Sequence, residues 1–195
     1  MNRIFLILIL AFLFFIFAQI VIKNNSDKTN ESNYVVLAKY EGFEIRSYPE
    51  LFVAKTKLHY SGYDGNSGEG FRTIAGFIFG GNDQNQKIAM TSPVLMDMND
   101  SVEMAFIMPP NINEENVPRP SNKSIRLEKR QARTVAVLTF SGWANSKKIA
   151  EKEKELLHLL KEQNIVYSGN ITYMGYNPPY QVLDRRNEVA ITVEL

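Results

Sequence analysis

The sequence predicts an α+β fold, in which a curved, mostly antiparallel sheet or distorted β-barrel carries two packed helices and follows an N-terminal apolar segment. Three observations support this class. Strand-like stretches recur in the two halves of the chain, and each half contains one amphipathic helical pattern. The stretches "MPPNINEENVPRP" and "GYNPP" predict loops, because proline supplies no amide hydrogen to a sheet ladder. Each half is therefore predicted to contain two strands, one helix and two further strands, in that order.

The strand-like stretches align without gaps. "FEIRSYPELFVAKTKLHYSG" matches "KSIRLEKRQARTVAVLTFSG", with Ile45 opposite Ile125. A second match places "EMAFIM", from Glu103, opposite "EVAITV", from Glu188. Self-similarity of this kind predicts an internal duplication of the whole unit.

The two helices follow from apolar spacing of about 3.6 residues. The first is expected to end at Gly80-Gly81, a glycine pair typical of a helix stop. The second is expected over residues 146–163, with Ser146 as its N-cap. The apolar faces comprise Phe71, Ile74, Ala75 and Ile78 in the first helix, and Ile149, Leu156, Leu157 and Leu160 in the second.

Residues 1–22 are predicted to be a transmembrane anchor or a signal peptide. The run from Ile4 to Ile22 carries one polar side chain, Gln19, and a helix rising about 1.5 Å per residue nearly crosses a ~30 Å hydrocarbon layer. The alternative is cleavage near Ala18, although Ile16 stands where signal peptidase sites have a small residue. The charge distribution favours an extracytoplasmic domain, periplasmic or extracellular, which would be secreted or periplasmic if the segment is cleaved.

The polar residues 23–33 predict a flexible linker, and residues 34–195 predict the folded domain. The chain has no cysteine, so disulfides, thiolate metal sites and cysteine nucleophiles are excluded. A net charge of +1 gives no argument for nucleic-acid binding, which needs concentrated positive charge.

Enzyme motifs are missing from the sequence, so we expect a protein that is not an enzyme. It contains no G-x-S-x-G, H-E-x-x-H or Walker motif. Of its two histidines, His158 is expected on the solvent face of the second helix. His59 shares a strand face with Lys55 and Lys57, and two interpretations stay open: an exposed basic face, or a metal ligand or proton acceptor.

Methionine is concentrated in one part of the chain. Thioethers are flexible and polarisable, so such a cluster either fills the core or forms the wall of a site for a large, flat apolar ligand. They could also offer sulfur to a soft metal. The clustered residues are Met90, Met96, Met98, Met104 and Met108.

Several motifs occur in the order found in one known family. "YEGFEIRSYPELFVAKT", "GFRTIAGFIFGGN", "KIAMTSPV", "FSGW" and "GYNPP" followed by "RRNEV" resemble the SOUL haem-binding proteins over residues 34–195. The resemblance implies a duplicated α+β barrel that binds haem or another tetrapyrrole in a shallow apolar cleft beside the first helix. It also places the run Ile88 to Met90, expected to be a strand, at the border of that cleft.

The resemblance further implies candidate contact residues. The cleft would be bordered by Phe71, Ile74, Phe77, Ile78 and Met90, with Arg72 or Lys87 neutralising the haem propionates. Ser47 stands where family members with an axial histidine carry it, which leaves His59, a methionine or no protein ligand for the iron.

The expected function is non-catalytic binding of haem or a tetrapyrrole by a membrane-anchored carrier or buffer. The alternative is a binding module for another amphipathic molecule, a lipid or small effector, on the same scaffold.

Overall fold

The computed structural model describes residues 3–29, 34–59, 62–65, 67–98, 101–178 and 180–194. Within them the chain is α+β, as predicted. Its helices are α1 (Arg3–Thr29), α2 (Ser67–Ile78) and α3 (Ser146–Glu162). Its strands are β1 (Val35–Lys39), β2 (Glu44–Tyr48), β3 (Leu51–Lys57), β4 (Val94–Asp97), β5 (Glu103–Ile107), β6 (Ile125–Arg130), β7 (Arg133–Ser141), β8 (Val166–Gly175) and β9 (Arg186–Glu194).

The nine strands form one antiparallel sheet in the order β1-β2-β7-β9-β8-β4-β5-β3-β6. Its terminal strands, β1 and β6, do not pair with each other in the described part of the chain, so the sheet is open. The predicted barrel closure is therefore wrong. The sequence of β6, "IRLEKR", is rich in charge, which suits a strand kept at an unpaired edge.

The strand order has an internal symmetry. When β2, β3, β4 and β5 are exchanged with β6, β7, β8 and β9, the order of these eight strands reads the same from the opposite end. The matched sequence stretches fall on the same strand pairs, with Ile45 on β2 and Ile125 on β6. The arrangement puts β4 and β8 at the centre of the eight. The duplication itself stays a prediction.

Each face of the sheet has its own apolar cluster. Helices α2 and α3 pack on one face, where Ile74, Phe77, Leu156 and Leu160 are fully buried. The second cluster occupies the other face and is built mainly from strand residues. These include Val53, Leu95, Ala105, Val135, Val137, Met174 and Ala190.

Helix α2 ends as its glycine pair predicts. Gly80 has a φ of +111°, a conformation that side chains disfavour. The Gly81 N–H donates to the Gly76 carbonyl at 2.8 Å, and the Gly80 N–H donates to the Phe77 carbonyl at 3.3 Å, as in a Schellman motif. A Cβ at Gly81 would lie 2.6 Å from the Gly76 oxygen, so this position requires glycine.

The run Ile88 to Met90 is not a strand, which corrects the prediction. The Ile88 N–H donates to the carbonyl of Ile78 at the end of α2, at 2.8 Å, and the neighbouring Lys87 forms a single bridge with Phe79. The backbone is thus held against the end of the helix rather than in a ladder. The strand of this region, β4, begins at Val94.

Helix α3 is capped one residue earlier than predicted. The Asn145 side chain accepts a hydrogen bond from the Lys148 N–H at 2.8 Å, so Asn145 is the N-cap. Ser146 has another role, because its hydroxyl accepts from the backbone N–H groups of Tyr63 and Asp64, at 3.1 and 3.2 Å. It therefore ties the segment before α2 to α3.

Helix α1 contains a stretch, Ile4–Asn24, that is long and apolar enough to cross a membrane, a test that a signal sequence also passes. The helix continues to Thr29, so the first part of the predicted linker is helical. Residues 30–33 of that linker lie outside the described residues.

A buried ionic network occupies the face of the sheet away from the helices. The Glu188 side chain is fully buried, and its carboxylate accepts from the guanidinium groups of Arg46 at 3.0 Å and Arg186 at 2.6 Å. The hydroxyls of Tyr176 and Thr139 also donate to it, at 2.7 and 3.1 Å. Charge-assisted hydrogen bonds of this kind compensate the desolvation of the carboxylate.

The network perturbs the titration of its members. Burial alone would lower the pKa of Arg46, but the adjacent Glu188 carboxylate raises it above its ordinary value. Burial raises the pKa of the Tyr176 hydroxyl, and the Glu188 charge raises it further. The segments "IRSY" and "RRNEV" thus meet in a network that supports the sheet.

Stability is expected to fall as the pH rises above about 10, the ordinary pKa of tyrosine. Burial raises the pKa of Tyr48, Tyr173 and Tyr176 in the folded protein, so these hydroxyls stay protonated while those of the unfolded chain ionise. The unfolded state then binds fewer protons, and the free energy of unfolding falls by up to about 1.4 kcal/mol per pH unit for each tyrosine.

Urea unfolding at pH values on either side of about 10 checks this expectation. Tyr176→Phe should show a shallower fall than the unsubstituted protein, because one of the three hydroxyls is absent. A free energy of unfolding that stays constant through this range would contradict the assignment.

Candidate functional site: a cleft beside helix α2

Two adjoining cavities lie beside α2 on the helix-bearing side of the sheet. The larger, of about 510 Å³, is called the inner lobe; the smaller, of about 250 Å³, is called the outer lobe. Phe71, Val94, Gly175 and Asn177 line both, so the two lobes form one cleft. The inner lobe is also lined by Tyr63, Ser67, Gly68, Arg72, Met96, Met104, Trp143, Ala144, Tyr173 and Arg185, and the outer lobe by Ile22, Met90, Thr91, Ser92, Tyr176, Pro178 and Tyr180.

The floor of the inner lobe is apolar and comes from the sheet. Met96 on β4, Met104 on β5 and Tyr173 on β8 are nearly fully buried there. The wall comes from the first turns of α2, where the ring of Phe71 packs 5.4 Å from that of Phe106. Thioether and aromatic groups together make a surface suited to a polarisable apolar ligand.

The charges at the cleft are all positive. Among the described residues that line the two lobes, Arg72 and Arg185 are the only charged ones. The Arg185 guanidinium lies 4.2 Å from the centre of the Trp143 ring. Its Nη1 donates to the carbonyls of Gln181 at 2.6 Å and Pro178 at 2.9 Å, whereas its Nε is buried with no hydrogen-bond partner in the described part of the chain.

An unpartnered buried donor on a cation favours an anionic partner. The cleft can therefore hold a molecule that combines an apolar body with at least one negatively charged group.

The predicted contact residues divide between the cleft and the core. Phe71 and Arg72 line the inner lobe, and Phe71 and Met90 line the outer lobe. The other three apolar residues of α2, Ile74, Phe77 and Ile78, are buried in the core cluster and line neither lobe. Lys87 is exposed beyond the end of α2 and lines neither lobe.

Neither histidine lies in the cleft. The His59 side chain is 78% exposed, with its Nδ1 3.3 Å from a carboxylate oxygen of Glu69 on α2. His158 is exposed on α3, as predicted, and lies beside Glu162. The described residues contain no group of three or more histidine, aspartate or glutamate side chains that could hold a metal ion.

Soft sulfur donors are present instead. Met96 and Met104 line the inner lobe, and Met90 lines the outer lobe. Of the iron ligands left open by the sequence, the methionines are the ones that the fold brings to the cleft.

Several cleft residues were missed by sequence reasoning. Trp143 and Arg185 were noted only as parts of "FSGW" and "RRNEV", and Tyr173 and Tyr180 carried no signal of their own. They are brought to α2 by the central position of β8 and by the segments that precede α3 and β9. Only the tertiary fold shows this proximity.

A further cavity, of about 410 Å³, differs in character. It contains charges of both signs, and the Arg130 guanidinium donates to both carboxylate oxygens of Asp97, at 3.1 and 2.8 Å. This polar cavity lacks the apolar walls of the cleft beside α2. Its charged lining residues are Lys55, Asp97, Glu103, Glu128, Arg130 and Arg133.

The protein is thus an α+β domain whose apolar, positively charged cleft is large enough for a small molecule. The chain matches the family profile described as "SOUL heme-binding protein" over residues 29–192, and it belongs to this family. The resemblance read from the motifs is therefore confirmed.

The chain is similar to curated proteins over most of its length. It is 30% identical to mouse "Heme-binding protein 2" over 155 residues, which cover 75% of this chain and 76% of the relative. It is 26% identical to "Heme-binding protein 1" of Xenopus laevis over 171 residues, which cover 83% and 90%. Both names describe binding rather than a reaction.

A solved structure shares the fold at low sequence identity. The C-terminal domain of EcmrR superimposes with a TM-score of 0.60 at 12% identity, covering 78% of this chain and 96% of that one. This likeness concerns the architecture alone.

Proposed function

We propose that the domain binds haem or a related tetrapyrrole, without a covalent bond, in the cleft beside α2. The observation that carries the proposal is the combination of apolar walls with Arg72 and Arg185 as the charged lining residues among those described. Haem has the matching chemistry, because it joins a flat apolar ring to two carboxylates. Membership of the SOUL family and the names of the relatives support the same ligand.

Different residues would contact the porphyrin ring and the propionate carboxylates of haem. Phe71, Val94 and Met90 offer partly exposed apolar surface for the ring, and the two arginines offer donors for the propionates. The lobes, about 510 and 250 Å³, adjoin through shared lining residues, and pockets of roughly 300–1,000 Å³ hold ligands of this size. The unpartnered Arg185 Nε would gain an acceptor on binding.

The affinity is expected to suit a carrier or buffer rather than a haem enzyme. Burying on the order of 300 Å² of porphyrin contributes about 7 kcal/mol at ~25 cal/mol per Å². Association costs roughly 4–15 kcal/mol, partly offset by the protein surface that is also buried. Among the described residues the cleft offers iron thioethers and protonated tyrosine hydroxyls but no histidine, so we propose weak or no protein ligation of iron and no catalysis.

We propose that α1 remains on the protein as a membrane anchor, with the domain on the extracytoplasmic side. The length and apolarity of Ile4–Asn24 support the anchor. Ile16, a large residue where signal peptidase sites have a small one, supports its retention over cleavage as a signal peptide.

One feature favours a second candidate, another amphipathic anion such as a fatty acid. Ile22 of the apolar helix α1 lines the outer lobe, so the cleft adjoins a segment suited to lipid. Mass spectrometry of organic extracts from the purified protein separates the two candidates. A tetrapyrrole mass supports the first, and a lipid mass without it supports the second.

Haem titration of the full-length protein in detergent, followed by the Soret band, tests the proposal. We expect saturable binding that weakens about fivefold in Arg72→Gln, because an exposed ion pair contributes up to about 1 kcal/mol. Arg185→Gln should weaken binding at least as much, because the Arg185 Nε is buried. Lys147→Gln is the control, since Lys147 is exposed on α3 and lines neither lobe.

The ligand of the iron is identified from the position of the Soret band of the bound haem. A band position changed in Met90→Leu, Met96→Leu or Met104→Leu, but not in His59→Ala, would identify a thioether ligand. A titration without any Soret shift in the unsubstituted protein would reject haem as the ligand.

A further inference from the structure

Helix α1 is attached to the domain through its one polar side chain in the apolar run. Gln19 is only 5% exposed, although most side chains around it are open. Its Oε1 accepts from the Val182 N–H at 2.8 Å, and its Nε2 donates to the Tyr180 carbonyl at 3.4 Å. Lys23, one helical turn later, pairs with Asp184 at 2.6 Å. The segment from Tyr180 to Asp184 therefore lies along α1.

The position of Gln19 sets the depth of this segment in a membrane. Gln19 lies five residues before Asn24, the end of the candidate span. At about 1.5 Å per residue this is roughly 7–8 Å below that end, within the roughly 5–10 Å to which interfacial segments bury their apolar side chains. A buried amide at this depth needs internal hydrogen-bond partners, and the backbone of residues 180 and 182 supplies them.

The side chains of the segment suit this environment. Tyr180, Val182 and Leu183 are 65%, 43% and 47% exposed, so three neighbouring apolar groups face away from the domain. Trp143, also more than half exposed, lies close by, stacked on Arg185. Tyrosine and tryptophan are enriched at membrane interfaces, where an apolar body meets polar headgroups.

The same segment borders the entrance to the cleft. Tyr180 lines the outer lobe together with Ile22 of α1 and Met90. We propose that residues 180–183 insert into the membrane interface next to α1, so that the outer lobe opens toward the lipid and takes up its ligand from the bilayer. Uptake from the bilayer rests on the proposed tetrapyrrole binding, whereas the insertion of residues 180–183 rests only on the proposed membrane anchor.

The chain offers a clean test, because it contains no cysteine and one introduced cysteine is the sole labelling site. The full-length protein with Leu183→Cys, carrying a nitroxide label, is reconstituted in phosphatidylcholine vesicles with anionic lipid. We expect the label to be more accessible to oxygen, which partitions into lipid, than to a water-soluble nickel chelate. Lys123→Cys, on an exposed turn before the edge strand β6, is the matched control and should show the reverse.

A label at residue 183 that behaves like the label at residue 123 would overturn the proposal. The role of Gln19 is tested by adding Gln19→Leu to the Leu183→Cys protein, which removes both hydrogen bonds to residues 180 and 182. The label at 183 should then move faster and become more accessible to the chelate; unchanged values would reject docking through Gln19.

Uptake is tested with haem loaded into the same vesicles. Leu183→Asp should slow transfer from vesicles to protein severalfold while leaving the haem affinity in detergent unchanged, since Leu183 does not line the cleft. An unchanged transfer rate would reject entry from the bilayer. If haem does not bind at all, the proposed function fails, but the label measurements still decide the position of the segment.

Discussion

Glu188→Ala is expected to lower the free energy of unfolding by about 3–5 kcal/mol, a large share of the ~5–15 kcal/mol of a typical domain. The substitution removes a carboxylate that is fully buried, which leaves Arg186 without its acidic partner and leaves Arg46 with Glu44 alone. The loss arises because the buried Arg46 guanidinium, whose side chain is only 4% exposed, loses one of its two carboxylate partners and cannot turn to water without disrupting its neighbours.

Urea unfolding measures this loss, with Glu194→Ala as the control. Glu194 lies on the same strand but is exposed, so its removal should change the free energy of unfolding by no more than about 0.5 kcal/mol. The proteins with Glu188→Ala and Glu194→Ala should therefore unfold at clearly different urea concentrations. Equal midpoints would show that the network contributes nothing to stability.

Gly68→Trp is expected to abolish haem binding while the domain stays folded. Gly68 lies in the first turn of α2 and lines the inner lobe. A Cβ there would meet only the flexible end of Arg72, at 3.3 Å, so a side chain can be added, and an indole would fill the space proposed for the ring. Replacing a helical glycine also removes a penalty of roughly 0.5–1 kcal/mol.

Gly76→Trp is the matched control on the same helix. Gly76 is exposed, has no atom within 4 Å of an added Cβ, and does not line the cleft, so its variant should bind haem as the unsubstituted protein does. Haem titration and thermal unfolding of both variants give binding and stability together. Equal haem affinities for the two variants would place the ligand elsewhere.

The fold class was predictable because hydrophobic periodicity and glycine positions are local signals. The end of α2 at Gly80 follows from one backbone conformation that only glycine adopts easily. The interpretation of Ile88 to Met90 failed because an apolar triplet does not specify the partner of its backbone, and that partner is the end of α2 rather than a strand. The prediction of a closed barrel failed for a similar reason, since no local pattern shows whether the two terminal strands of the sheet pair with each other.

The site was predictable only in part. Periodicity places Phe71 on the same helix face as Ile74 and Ile78, but the helix leaves room for the cleft at its N-terminal turns alone. Phe71 therefore lines the cleft and the other two lie in the core. Trp143 and Arg185 reach the same cavity from distant parts of the chain, and the hydrogen-bond partners of Gln19, at residues 180 and 182, are equally remote in sequence.

Locating the iron would show whether haem binds in the cleft beside α2. Crystals of the full-length protein loaded with haem, measured at the iron absorption edge, would give one anomalous difference peak for each molecule. We expect this peak inside the cleft, near the lining residues Phe71, Val94 and Gly175 that the two lobes share. A peak at the polar cavity, at His59, or anywhere else outside the cleft would contradict it.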